Sequence, residues 1–302
     1  MRLSSAKDRY RSSRNRLSAG ITRANLRHAV TALWQGRNPV ARVYDSIGAD
    51  FWLAPAPGWL NLGLWEGQGD AEEAPAAVGR LVSTLAAKLP QHGTIVDVGN
   101  GLGAQDPLIA DIAHPRTLIA VNITESQLRA GRARLQHARA KPVVADAVRL
   151  PFKDDSVDGL ISVEAAFHFS SRARFFSEVS RVLRSGGVLA MSDVATKRLP
   201  RRPDELAAGL LTARIWALRW QAAMTVEDIV RAALSNGLTD VRIQPCGERV
   251  IAPALNFLTD RLQDAEEAPP LQRSAAEAVL ASWRLLWRRG IIDYIMLTAR
   301  AP

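Results

Sequence analysis

Residues Thr94–Val98 form a short β-rich run that passes directly into Gly99-Asn100-Gly101-Leu102-Gly103. A strand that ends in a glycine loop and feeds a helix restricts the fold strongly. The glycines let the backbone approach a ligand, and the helix N-terminus supplies free N–H groups. A helix is expected from about Ala104. Beyond it, strands and helices alternate. Strands are expected over Thr117–Val121, Val143–Ala145, Val157–Val163 and Val188–Met191. Helices are expected over Ser126–Ala138 and Phe175–Leu183, the second stopped by Ser185-Gly186-Gly187. This alternation predicts a parallel sheet with helices on both faces. Its ligand should sit beyond the carboxyl ends of the strands, where the strand order reverses.

The flanks read differently. Leu26, Ala29, Val30, Leu33 and Trp34 recur at helical spacing, so a helix should end near Gly36. A second short helix is expected over Val40–Ile47, and an amphipathic helix over 71–89, stopped by Pro90. After the alternating block, Glu205–Gln221 and Val226–Leu234 read as helices, and Val241–Gln244 and Ile291–Thr298 as strands. Between those strands lies a helical insertion carrying Trp283 and Trp287. The expected organisation is a basic arm and helix over 1–42 and one large domain over 43–302. Within that domain the core spans about 91–195, with lid elements at 43–90 and 200–290.

Charge separates the arm from the body. Residues 1–42 hold ten Lys/Arg and one acid, Asp8; residues 43–302 hold 29 of each sign. The net charge of +9 therefore belongs to the arm. A neutral body argues against a nucleic-acid partner, which wants a basic face across the folded domain. Residues 1–20, rich in Arg and Ser, are similar in composition to a mitochondrial transit peptide. They also read as a solvated tail, or as an arm for an anionic membrane surface. No apolar run reaches the roughly 18 residues of a spanning helix, and no secretory signal is expected. The single cysteine, Cys246, excludes an internal disulfide and a cysteine-rich zinc site, and no metal is expected. It fits a reducing, cytoplasmic setting.

The glycine loop alone also fits a dinucleotide pattern or a plain turn. Asp97, inside the strand two residues before Gly99, favours a ligand that is cationic at that end, because an acid there can receive an ammonium and would repel a pyrophosphate. Asn122, ending the second strand, stands where a ribose-binding side chain is expected. Asp146, ending the third, could bind an adenine amino group with the Ala147 N–H beside it; the alternative for Asp146 is a helix N-cap.

These segments, with Leu150-Pro151-Phe152 and Asp154–Asp158, resemble class I methyltransferases that use S-adenosylmethionine. Ser162-Val163-Glu164-Ala165-Ala166-Phe167-His168-Phe169, then Phe175-Phe176, Glu178, Arg181–Gly187 and Ser192-Asp193, resemble one branch of them. It contains quinone C-methyltransferases, sterol and tocopherol methyltransferases and natural-product O-methyltransferases. Asn61–Trp65 resembles a segment that closes over the cofactor in that group, and Gly290–Arg300 its final strand. Asn100 stands where the family often has Cys, Asn122 where an acid is common, and Ser185 where Pro is usual.

The resemblance implies a doubly wound, Rossmann-like α/β sheet of seven strands in the order 3-2-1-4-5-7-6, with strand 7 antiparallel. The N-terminal helices and the insertion before the last strand would form a lid. It implies cofactor contacts from Tyr44, Leu62, Asp97, Gly99, Asn100, Gly101, Asn122, Gln127, Asp146, Ala147 and Val163. Glu164, Phe167, Trp216 and Trp220 would meet the acceptor, under a roof that also holds Trp283 and Trp287.

A hydroxyl nucleophile needs a base with a pKa near working pH, and an unperturbed His titrates near 6.5. His168 follows the fourth strand between Phe167 and Phe169, and a His at this motif position acts as base in similar O-methyltransferases. Asp193 could orient its ring. The alternative is a structural His between aromatics. The expected function is methyl transfer from S-adenosylmethionine to a hydroxyl of a small, largely apolar acceptor, with His168 as base. Carbon methylation of a quinone or lipid, RNA methylation and non-methylating cofactor binding are the alternatives.

Overall fold

A computed structural model describes residues 53–216, 218, 223–264 and 270–302. The helices expected over Leu26–Gly36 and Val40–Ile47 lie outside the described residues, as does the basic arm.

Seven strands form one sheet in the order β3-β2-β1-β4-β5-β7-β6. They are β1 (Thr94–Val98), β2 (Thr117–Asn122), β3 (Ala140–Val144), β4 (Val157–Val163), β5 (Leu183–Thr196), β6 (Thr239–Pro245) and β7 (Ile292–Arg300). The first five run parallel, and β7 is antiparallel to both β5 and β6. The order reverses between β1 and β4, so a crevice opens there at the carboxyl edge. This is the expected topology.

Alternation along each strand builds a core on both faces. Ile95, Leu118, Ile161 and Tyr294 pack on one side with Leu81 and Leu85 of helix α1 (Ala74–Ala86) and Ile109 of α2 (Asp106–Ala113). Val96, Leu160, Leu189 and Ile295 face the other side, against Phe175, Phe176 and Val179 of α5 (Arg172–Val182) and Ile229 of α7 (Val226–Ser235).

Three expectations shift. The helix over 126–138 is two, α3 (Glu125–Ala130) and α4 (Arg132–His137), joined at Gly131. Ser185-Gly186-Gly187 does not stop a helix; α5 ends at Val182, and the glycines lie inside β5, where its register against β4 shifts. β5 also runs on to Thr196, so Asp193 sits within the strand rather than at its end. The insertion before β7 is a pair of long helices, α8 (Gly247–Asp264) and α9 (Pro270–Arg288), and α9 packs on α6 (Pro203–Ile215). Among the described residues, no helix is long and apolar enough to cross a membrane.

Candidate active site

The crevice is a cavity of about 370 Å³, which falls in the usual range for small-molecule sites. Its floor is the glycine loop. Gly99 and Gly101 adopt φ +82° and +58°, a region that L side chains rarely enter. A Cβ on Gly101 would meet only the Leu60 side chain, at 3.4 Å, so the space above this residue belongs to the cleft.

Asn100, Asn122, Gln127, Asp146, Ala147 and Val163 line the same cavity, as do Gly99, Gly101 and Leu62. Asn122 holds the loop in shape. Its Nδ2 donates to the Gly101 carbonyl (3.1 Å) and to Gln127 Oε1 (3.0 Å), and its Oδ1 accepts from the Thr124 N–H (2.9 Å). Both amide hydrogens are thus engaged by protein, and a ribose hydroxyl could only donate to the remaining lone pair of Oδ1. Asp146 Oδ1 accepts from the Val148 N–H at 3.1 Å. No helix follows Asp146, so the N-cap alternative is not met; the bond closes a local turn, and Asp146 lines the cleft.

Asp97 is placed differently from the expectation. It is fully buried behind the wall, and Gln105 lines the cleft in its stead, donating from Nε2 to Asp97 Oδ2 at 2.6 Å. Burial, reinforced by the neighbouring Asp106, pushes the Asp97 carboxyl well above its ordinary range. Asp106, also buried, is raised to about 7. Asp97 supports Gln105 through Oδ2, and its Oδ1 is buried without a hydrogen-bond partner. Asn100 Nδ2 donates to Asp106 Oδ2 (3.2 Å), which leaves Asn100 Oδ1 buried without a partner. Asn61 Nδ2 is orphaned likewise. A cleft-lining acceptor and donor awaiting partners, beside a glycine cradle, suit the amino-acid and nucleoside groups of S-adenosylmethionine.

The segment over the cofactor side is firmly held. The Leu64 and Trp65 N–H groups donate to the carbonyls of Ala77 and Arg249, and Trp65 is buried against Phe257. Leu62 N–H donates to Glu164 Oε1 at 2.8 Å, and Tyr294 Oη–H donates to the same oxygen at 2.8 Å. Glu164 follows β4 with φ +49°, a strained backbone for a side-chain-bearing residue and a frequent mark of functional sites. Burial raises its pKa to about 7 against the lowering effect of these two hydrogen bonds.

Phe167, His168, Phe169, Trp216 and Trp283 line the other end. His168 packs on Phe167, with ring centroids 4.2 Å apart. Burial, with a smaller contribution from Arg172, lowers its pKa to about 3, so the expected titration near 6.5 does not hold. Asp193 lies outside the cleft; its Oδ2 is 2.6 Å from Arg172 Nε in an ion pair with both side chains buried, while Oδ1 accepts from the Val194 N–H. Of the expected roof, Trp287 is absent from the cleft lining and packs beneath Lys197. Tyr44 and Trp220 lie outside the described residues. Trp59, Gln105 and the Tyr294 hydroxyl were not singled out from the sequence. Trp59 adjoins the closing segment, but a tryptophan after a turn reads as packing, and nothing in a strand pattern marks one tyrosine hydroxyl as reaching a carboxylate 130 residues away.

Residues 96–191 match the model of the methyltransferase domain family. The chain is 26% identical over 289 residues to the erythromycin 3''-O-methyltransferase of Saccharopolyspora erythraea, covering 89% of this chain and 93% of that one. It is 28% identical to the methyltransferase GfsG of Streptomyces halstedii, covering 80% and 87%. In fold it is similar to the cyclopropane synthase MmaA2 of Mycobacterium tuberculosis, with a TM-score of 0.72 at 19% identity, covering 88% and 98%. Domain match, relatives covered over most of their length and sheet order together support a class I S-adenosylmethionine-dependent methyltransferase of the small-molecule branch.

Proposed function

We propose that the enzyme methylates a hydroxyl oxygen of a small, largely apolar acceptor, and that Glu164 takes the hydroxyl proton. The observation that carries this reading is the Glu164 carboxylate, held by the Leu62 N–H and the Tyr294 hydroxyl in the same cavity as the glycine loop, where burial raises its pKa to about 7. S-adenosylmethionine, when bound, supplies an electrophilic methyl group on a sulfonium centre. The chain itself must align the nucleophile, remove its proton and exclude water.

A general base works best when its pKa lies near working pH. Glu164 meets that condition, and its Oε2 takes no protein hydrogen bond among the described residues. His168, lowered to about 3, stays neutral and is a weak base. Its role is to hold the acceptor hydroxyl beside Glu164 through a neutral ring. Trp59, Phe167, Phe169, Trp216 and Trp283 give the acceptor an apolar surround. Full-length similarity to a protein named as an O-methyltransferase supports oxygen over carbon. The described parts of the lid elements contribute Trp59, Trp216 and Trp283 to this cavity, and the basic arm holds the enzyme near an anionic membrane where apolar acceptors gather.

Turnover with methyl-13C S-adenosylmethionine tests the reaction. The label should appear as an O-methyl signal in the product NMR spectrum. A C-methyl or N-methyl signal would contradict the reading.

A further inference from the structure

Two residues of the roof carry buried N–H groups with nothing to bond. Trp216 ends helix α6, Trp283 lies on the neighbouring α9, and both line the cavity. The indole Nε1 of each is buried without a hydrogen-bond partner. Such a donor is costly to strand and rare in native proteins, and Nε1–H is the sole polar group of the side chain. Phenylalanine would supply an apolar wall with no stranded donor. Among the described residues, the ionisable side chains that line the cleft are Asp146, Glu164 and His168; no Lys or Arg is among them. The wall therefore has two donors to satisfy and no cation to neutralise a phosphate or carboxylate.

We propose that Trp216 and Trp283 form a two-donor subsite that selects uncharged acceptors bearing at least two hydrogen-bond-accepting oxygens apart from the one methylated. The proposal rests on the O-methylation reading and narrows its substrate class. Carbonyl, ether and hydroxyl oxygens all meet the requirement. A plain hydrocarbon alcohol would leave both indoles unmatched, and an anionic acceptor would face Glu164 with no cation to pair it.

The test uses the full-length enzyme with a panel of neutral hydroxylated lactones, their phosphate esters and simple long-chain alcohols. Labelled-cofactor turnover is read beside 1H–15N spectra of the indole N–H groups. Trp216→Phe and Trp283→Phe keep the ring and remove only the donor. Each should raise the acceptor KM about 5–30-fold, while S-adenosylmethionine affinity stays within about twofold. Saturating lactone should shift both indole signals, and the phosphate esters should bind at least about tenfold more weakly. Unchanged KM in both folded variants, or unmoved indole signals with every panel member, would overturn the subsite. Indole shifts without methylation would instead sink the O-methylation reading and leave the subsite standing.

Discussion

The backbone N–H of Leu62 and the hydroxyl of Tyr294 converge on one oxygen of Glu164, each at 2.8 Å. One carboxylate thus ties the closing segment to the last strand, 102 residues away on one side and 130 on the other. Tyr294→Phe removes one of two bonds that favour the charged form, so the Glu164 pKa should rise further. The alkaline shift of the pH–rate profile should be about half a unit or more. A shift to lower pH would contradict the assignment.

The cofactor cradle gives a second test. Gly101→Val would put a branched side chain into the cleft at a backbone φ of +58° that only glycine adopts readily. Calorimetry should show no S-adenosylmethionine binding. Wild-type affinity in this variant would remove the loop from the cofactor site.

The Arg172–Asp193 pair should matter for stability more than for chemistry. Both side chains are buried, and removing one partner strands a charge, at a cost of about 3–5 kcal/mol. Arg172→Met and Asp193→Asn should each lower the unfolding midpoint in urea, whereas Trp283→Phe should not approach that loss. A midpoint unchanged in Arg172→Met would show that the pair is not formed.

Much of this was legible in the sequence, and the reasons differ by element. β1 and β4 match their expected limits because short apolar runs bounded by turn residues leave little freedom. The strand order came from family motifs rather than from periodicity. The glycine pair at 186–187 misled because glycines that commonly end helices here sit within an irregular strand. His168 and Asp193 were found as a motif, but burial and a competing arginine change their chemistry, and neither is visible in residue spacing. The sequence likewise locates Asp97 on β1 but not behind Gln105.

Two buried acids set an expected pH dependence of stability. Glu164 and Asp106 are both raised to about 7. A raised carboxyl contributes stability that is fully present below its unfolded-state pKa and is lost as pH rises through the folded value. Wild-type enzyme should lose stability relative to Asp106→Asn as pH rises from about 4 to about 7. A difference that grows toward acid pH would contradict the burial argument.

The basic arm bears ten Lys/Arg within residues 1–42. Near an anionic surface each such residue adds about 1 kcal/mol. Removing residues 1–20 should leave cofactor binding intact and weaken flotation with anionic vesicles, in a salt-sensitive way. Full-length protein that ignores such vesicles at low salt would end the membrane proposal.

The pH dependence of kcat/KM for methyl transfer, compared in wild type, Glu164→Gln and His168→Ala, bears most directly on the proposed chemistry. Wild type should show a rising limb with an apparent pKa of about 7. Glu164→Gln should lower kcat by about 10²–10⁴ and abolish the limb, the usual effect of losing a general base. His168→Ala should turn over more slowly yet keep the limb in place. A limb that survives in Glu164→Gln and disappears in His168→Ala would contradict the assignment and return the proton to the imidazole.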